Sequence, residues 1–170
     1  MNVELFAEAT REKQHESLQS FLDHGWDINT GSTIDSKIPS ALIYALDEPE
    51  LAKWFLNHGA DPNKRCRMRD ATVLSYAISE ASFEMIELFF EYGGLTEHGQ
   101  LLHYASMRRN SDGLNILQHL YNKSPCIMNR VNSFLDEGHV EFETKYRFGL
   151  CTPVHYAARA GSLDSCEVLG

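Results

Sequence analysis

The residues of this chain best suited to chemistry are four cysteines and eight histidines. Cys66, Cys126, Cys151 and Cys166 lie 60, 25 and 15 residues apart, so no two form the close ligand pair that opens a local zinc site. A disulfide scaffold needs dense, paired cysteines in a secreted chain, and this spacing does not supply them. The four read as isolated, reduced thiols. No Gly-x-Ser-x-Gly elbow, His-Glu-x-x-His pair or phosphate-cradling glycine loop occurs in the chain. The expectation is therefore no catalytic residue, no metal, no cofactor and no small-molecule substrate. Asn122-Lys123-Ser124 fits a glycosylation sequon but follows no secretory signal, so it reads as chance. Among the histidines, His103 and His155 stand out because they share a local context.

That context is an internal repeat, the feature to seek before any other. One block reads Ala41-Leu42-Ile43-Tyr44-Ala45, then Val73-Leu74-Ser75-Tyr76-Ala77, then Leu101-Leu102-His103-Tyr104-Ala105. Its fullest copy runs Thr152-Pro153-Val154-His155-Tyr156-Ala157-Ala158-Arg159-Ala160-Gly161, and Leu5-Phe6-Ala7-Glu8-Ala9 is a degenerate first copy. A second block closes on glycine: His24-Gly25-Trp26-Asp27-Ile28-Asn29, His58-Gly59-Ala60-Asp61-Pro62-Asn63 and Tyr92-Gly93-Gly94. Gly25, Gly59 and Gly93 are spaced 34 and 34, and each follows an aromatic-rich helical pattern. Thr152 is a good N-cap, and Pro153 suits the first helical position, where its missing N–H costs nothing. Gly161 is placed to end that helix in a left-handed conformation. Second helices are expected to begin near Glu48, Ser82 and Ser162. Met85, Ile86, Phe89 and Phe90 then form one apolar stripe. Two short helices bury too little surface to stand alone, so such units must stack.

The two blocks, in order and with a period of about 33 residues, resemble the ankyrin repeat. The resemblance covers nearly the whole chain. It implies an all-α solenoid of stacked helix pairs with projecting hairpin loops. The repeats fall at about 2–35, 36–69, 70–98, 99–126 and 149–170, the last one truncated. There are departures: the second repeat has only Asp47-Glu48-Pro49 between its helices, the third lacks the Asp-x-Asn ending, and the fourth carries extra residues near Arg109-Asn110-Ser111. The resemblance also gives His103 and His155 a structural task, bridging neighbouring loops by hydrogen bonds together with the Thr at the start of the block. His24 and His58, one residue before the closing glycine, are expected at exposed helix C-termini, where a positive charge suits the dipole. The resemblance further implies that Asn29 or Asn63 could be a substrate of an asparaginyl hydroxylase.

Residues 127–148 are not needed by any repeat. Val140, Phe142, Thr144, Tyr146 and Phe148 alternate with Glu141, Glu143, Lys145 and Arg147, and Asp136-Glu137-Gly138 suits a turn. This pattern predicts an elongated hairpin. The last repeat stops inside its second helix at Gly170. Repeat arrays normally finish with a polar cap, so the expectation is a longer natural protein.

Charge narrows the partner. Lys plus Arg total 15 and Asp plus Glu 24, a net of −9, which disfavours general binding to nucleic acid or anionic membrane. The layout is uneven. Residues 1–60 hold 10 acids and 4 bases, whereas residues 64–69 read Lys-Arg-Cys-Arg-Met-Arg. A basic hairpin tip beside an acidic first repeat would steer a dipolar or acidic protein. By motif, the family's usual contact positions are Arg67, Met68, Arg69 and Asp70 at the tip. Ser79, Glu80, Met107, Arg108 and Arg159 are the corresponding positions at the ends of the first helices. Reversing Arg67 and Arg69 to Glu is expected to weaken partner capture without unfolding the chain.

The reading is a non-catalytic protein-interaction scaffold, cytoplasmic or nuclear, with a protein partner. The alternative is a targeting module for an enzyme or signalling domain beyond Gly170. Glu4 and Glu8 interrupt the N-terminus, so no signal peptide is expected, and the apolar runs are too short to span a bilayer.

Overall fold

The computed structural model describes residues 8–32, 37–67, 69–108, 112–130 and 151–170. It is mostly helical, and among these residues there is no strand, only an isolated antiparallel bridge between Arg65 and Thr72. After a short helical end at residues 8–11 come α1 (His15–Asp23), a 3-10 helix (Ala41–Ala45) and α2 (Pro49–Asn57). Then follow α3 (Val73–Glu80), α4 (Phe83–Glu91), α5 (Leu101–Met107) and α6 (Gly113–Lys123). A second 3-10 helix (Pro125–Arg130) precedes α7 (Pro153–Ala160) and α8 (Leu163–Leu169).

Consecutive helices pair across short connections: the 41–45 turn with α2, α3 with α4, α5 with α6, and α7 with α8. The first members of these pairs pack in a row, the 41–45 turn on α3, α3 on α5 and α5 on α7. Each pair brings its own buried residues. Phe55 and Leu51 lie in α2, Ile78 and Leu74 in α3, Phe89 and Ile86 in α4, and Leu102 and Ile116 in the α5–α6 pair. These form one continuous apolar cluster along the row. Leu163 and Val168 at the far end remain exposed.

Local chemistry sets the helix ends. Thr72 accepts from the Ser75 amide at 3.2 Å while the Ser75 hydroxyl accepts from the Thr72 amide at 2.9 Å, a reciprocal cap on α3. Ser82 caps α4 through the Met85 amide, and Ser162 caps α8 through the Ser165 amide. Gly25, Gly59, Gly93 and Gly161 end their helices at φ +80°, +87°, +88° and +75°, the left-handed region that disfavours a Cβ.

Two features differ from the sequence reading. The Ala41–Ala45 copy forms five residues of 3-10 helix instead of an α-helix. Pro49 limits the length of this first helix, because it holds the preceding Glu48 out of the helical region at φ −131°, ψ 86°. The boundary placed at 126/127 is crossed by the Pro125–Arg130 3-10 helix, so the segment 127–148 does not begin as a strand. The alternating run 140–148 and its turn at 136–138 lie outside the described residues, as does the 109–111 connection.

Candidate functional site

The basic run 64–69 lies on a loop closed at its neck. Cys66 donates its amide to Ala71 O at 2.7 Å, next to the Arg65–Thr72 bridge. Three sets of bonds hold this loop to the rest of the chain. Asp70 Oδ1 meets Arg65 Nε at 3.2 Å and accepts from the Gly99 amide at 3.0 Å. The Cys66 thiol donates to Lys37 O at 3.0 Å, and the Tyr76 hydroxyl donates to the same carbonyl at 2.6 Å. Arg69 donates to the Tyr76 hydroxyl and lies 5.6 Å from its ring centre. Burial, reinforced by Cys66, pushes the Tyr76 phenol up to about 12, so it remains a donor at neutral pH. The loop is therefore fastened to the preceding loop through Lys37 and to the following one through Gly99.

Within this anchored loop the candidate residues divide. Arg67 is exposed. Arg69 and Asp70 are half-buried and engaged with the scaffold, so their side chains hold the tip in place as well as charging it. Met68 lies outside the described residues. Replacing Arg69 by Glu would remove the bond to Tyr76, so the double reversal of Arg67 and Arg69 does not separate binding from folding.

The helix-end candidates occupy one register on helices packed side by side. Ser79, Met107 and Arg159 are the third residues after Tyr76, Tyr104 and Tyr156. Ser79 and Met107 are half-buried, whereas Glu80 and Arg159 are exposed. Arg108 departs from the sequence expectation of a surface contact, because it is only 5% exposed. Its guanidinium donates to Ile78 O at 3.0 Å and Ala81 O at 2.7 Å, and it pairs with both oxygens of Asp112 at 2.7 Å. The C-terminal carbonyls of α3 need donors, and a long cation one helix away supplies them. In return, that hydrogen bonding holds the Asp112 carboxyl below its ordinary value.

Asn29 and Asn63 make the same pair of bonds one unit apart. Asn29 Nδ2 donates to Gly59 O at 3.0 Å, and its Oδ1 accepts from the Asp61 amide at 2.8 Å. Asn63 Nδ2 donates to Gly93 O at 2.9 Å, and its Oδ1 accepts from the Leu95 amide at 2.7 Å. Asp27 and Asp61 each accept from the amide of the following Asn, at 2.9 and 2.8 Å, and set its orientation. The ladder stops at the third turn, where Glu97 stands in the asparagine register.

His24 and His58 are exposed and place Nδ1 2.6 and 2.7 Å from Ser20 O and Trp54 O, at the ends of α1 and α2. Thr152 Oγ1 lies 2.8 Å from His155 Nδ1, within its own turn, and Pro153 is buried at the start of α7. His103 is buried, its ring edge-on to Tyr156 at 6.3 Å. Ser75, in the histidine register of α3, ties its helix to the following loop by donating to Gly99 O at 2.6 Å. Sequence reasoning passed over Ser75, Gly99 and Tyr76. The register of Ser75 with His103 and His155 carries the signal for the first. Nothing in the sequence pointed to the Lys37 carbonyl as the shared acceptor of Cys66 and Tyr76.

Among the described residues no three His, Cys, Asp or Glu side chains form a metal-holding group, and no helix is long and apolar enough to cross a membrane. No protein-family model matches the chain, and no match was found among curated proteins.

Proposed function

We propose that the chain is a non-catalytic protein-interaction scaffold of the ankyrin-repeat type, with a protein partner docking on the 64–70 tip and the neighbouring ends of α3, α5 and α7. The observation that carries the reading is the anchored tip. Arg67 is exposed on a loop whose neck, Asp70 and Tyr76 are tied to the flanking loops. A neck already tied down before binding loses little entropy when a partner arrives. The loop's charge, against an acidic chain, favours a partner with an acidic patch and a fast, salt-sensitive encounter. The ankyrin assignment rests on the 34-residue spacing of the closing glycines and on the Asn29 and Asn63 bonds, which repeat in register.

The test is quantitative affinity capture from cells that express the protein, comparing wild type with Lys64→Glu plus Arg67→Glu. This pair leaves the Arg69–Tyr76 and Arg65–Asp70 contacts in place. The expected result is an acidic protein held by wild type, released as salt rises from about 0.05 to 0.5 M, and lost in the variant. An unchanged capture profile in a variant with wild-type thermal stability would remove the tip from the site.

A further inference from the structure

The junction between α3–α4 and α5–α6 contains a guanidinium that the next junction lacks. Arg108 fills the first gap, bonded to Ile78 O and Ala81 O of the preceding pair and to Asp112 of its own. One unit further along, the sequence aligns Tyr104 through Arg108 with Tyr156 through Ala160, so the small Ala160, still inside α7, takes the register of Arg108, which follows its own helix in extended backbone. The corresponding gap, between α5–α6 and α7–α8, is a cavity of about 230 Å³. Its walls include Ser106, Gly113, Ala160, Ser162, Asp164 and Ser165. Ser106 is in the register of Ile78, whose carbonyl holds Arg108. Ser106 and Ser165 are buried, while Asp164 lies exposed. The small side chains at 106, 113 and 160 leave the volume, and Asp164 and the α5 C-terminus supply negative potential against the positive first turns of α6 and α8.

We propose that this cavity receives a guanidinium group, presented as an arginine side chain by a protein partner. The site is separate from the 64–70 tip and does not depend on what binds there. The first gap is the template: a guanidinium there satisfies helix-end carbonyls and a carboxylate together, in the planar fork geometry that suits Arg better than Lys. In the second gap Ser106 takes the register of Ile78, and Asp164 takes that of Asp112 as the carboxylate. Arg108 and the first turn of α6 also border the cavity. The Arg108 guanidinium is the same one that fills the first gap, and its pairing with Asp112 neutralises it.

The test is a binding titration of the whole chain, followed by two-dimensional NMR. The probes are N-acetyl-arginine methylamide, its neutral citrulline analogue, the lysine equivalent, zwitterionic arginine and inorganic phosphate. The blocked arginine is expected to shift amides of residues 105–106 and 160–165, citrulline to shift none, and lysine to bind more weakly. Asp164→Asn should weaken the arginine probe by about tenfold. Ala160→Arg places a guanidinium there in cis. It should abolish probe binding and raise Tm by about 3 °C, and Arg matches Ala closely as a helix former. Tighter binding of zwitterionic arginine than of the blocked form would point to a free amino acid and overturn the partner assignment. Shifts with phosphate instead of arginine, or an Ala160→Arg variant that still binds the probe, would overturn the proposal.

Discussion

Asn63→Ala is the substitution whose cost follows most directly from the geometry. The amide spans two turns: Nδ2 to Gly93 O at 2.9 Å and Oδ1 from the Leu95 amide at 2.7 Å. A net hydrogen bond contributes about 1 kcal/mol, and truncation leaves one carbonyl and one amide without that partner. Asn63 is half-buried and Leu95 exposed, so water re-solvates part of the loss. The expected cost is about 2 kcal/mol, or ~5 °C in Tm for a chain of this length. Urea denaturation followed by circular dichroism measures it. Asn63→Asp should do no better, because it keeps the acceptor for Leu95 but sets a carboxylate oxygen against Gly93 O. Asn29→Ala should cost a similar amount through Gly59 and Asp61. Asn122→Ala, on the exposed face of α6, is the control and should stay within about 0.5 kcal/mol. If Asn63→Ala matched that control, the ladder would contribute nothing to stability, and the reasoning that joins the units through it would fail.

Three further outcomes follow from other junctions. Gly99→Ala should be far more costly than Gly161→Ala, although both glycines have positive φ. A Cβ at 99 would fall 2.2 Å from Ser75 Oγ and 2.6 Å from Thr72 Oγ1, breaking the α3 cap, whereas one at 161 meets nothing within 4 Å. The expected costs are more than about 3 kcal/mol and about 1 kcal/mol, by thermal melts. Arg108→Met should cost about 3 kcal/mol, since it strips donors from Ile78 O and Ala81 O and leaves Asp112 alone. Acid should weaken the contact between α4 and α6. His119 lies 2.6 Å from Glu87 and packs between Phe83 and Phe90, with Lys123 nearby. Burial holds its imidazole below the usual value despite Glu87. A lowered pKa means the folded chain binds fewer protons, so stability is full above the unfolded value of about 6.5 and falls as pH drops below it. The urea midpoint should therefore fall between pH 7 and pH 5, and fall less in His119→Gln.

Much of this architecture was legible in the residues because its devices are local. A cap, a left-handed glycine and an apolar stripe each leave a signature within a few positions. Ser82, Ser162 and Gly161 could therefore be read before any contact was known. The 3-10 turn at 41–45 was less visible, since its block has the same apolar pattern as its longer counterparts and only Pro49 distinguishes it. Long-range roles were the hardest to see. Arg108 looks like a surface cation by type and position, and its burial is explained by the α3 carbonyls across the junction together with Asp112. Lys37 offers a backbone carbonyl, which has no signature of its own. Arg67 and Arg69 are near neighbours with different environments, because the Tyr76 phenol lies within reach of one of them.

The most direct measurement of the central claim is photo-crosslinking in cells, with a benzoylphenylalanine residue placed at position 67 or, as the control, at the exposed Glu84 on α4. A scaffold that docks its partner on the anchored tip should give one dominant crosslinked protein from position 67, bearing an acidic surface, and little from position 84. Equal crosslinking from both positions, or the same products when Lys64 is reversed to Glu, would contradict it.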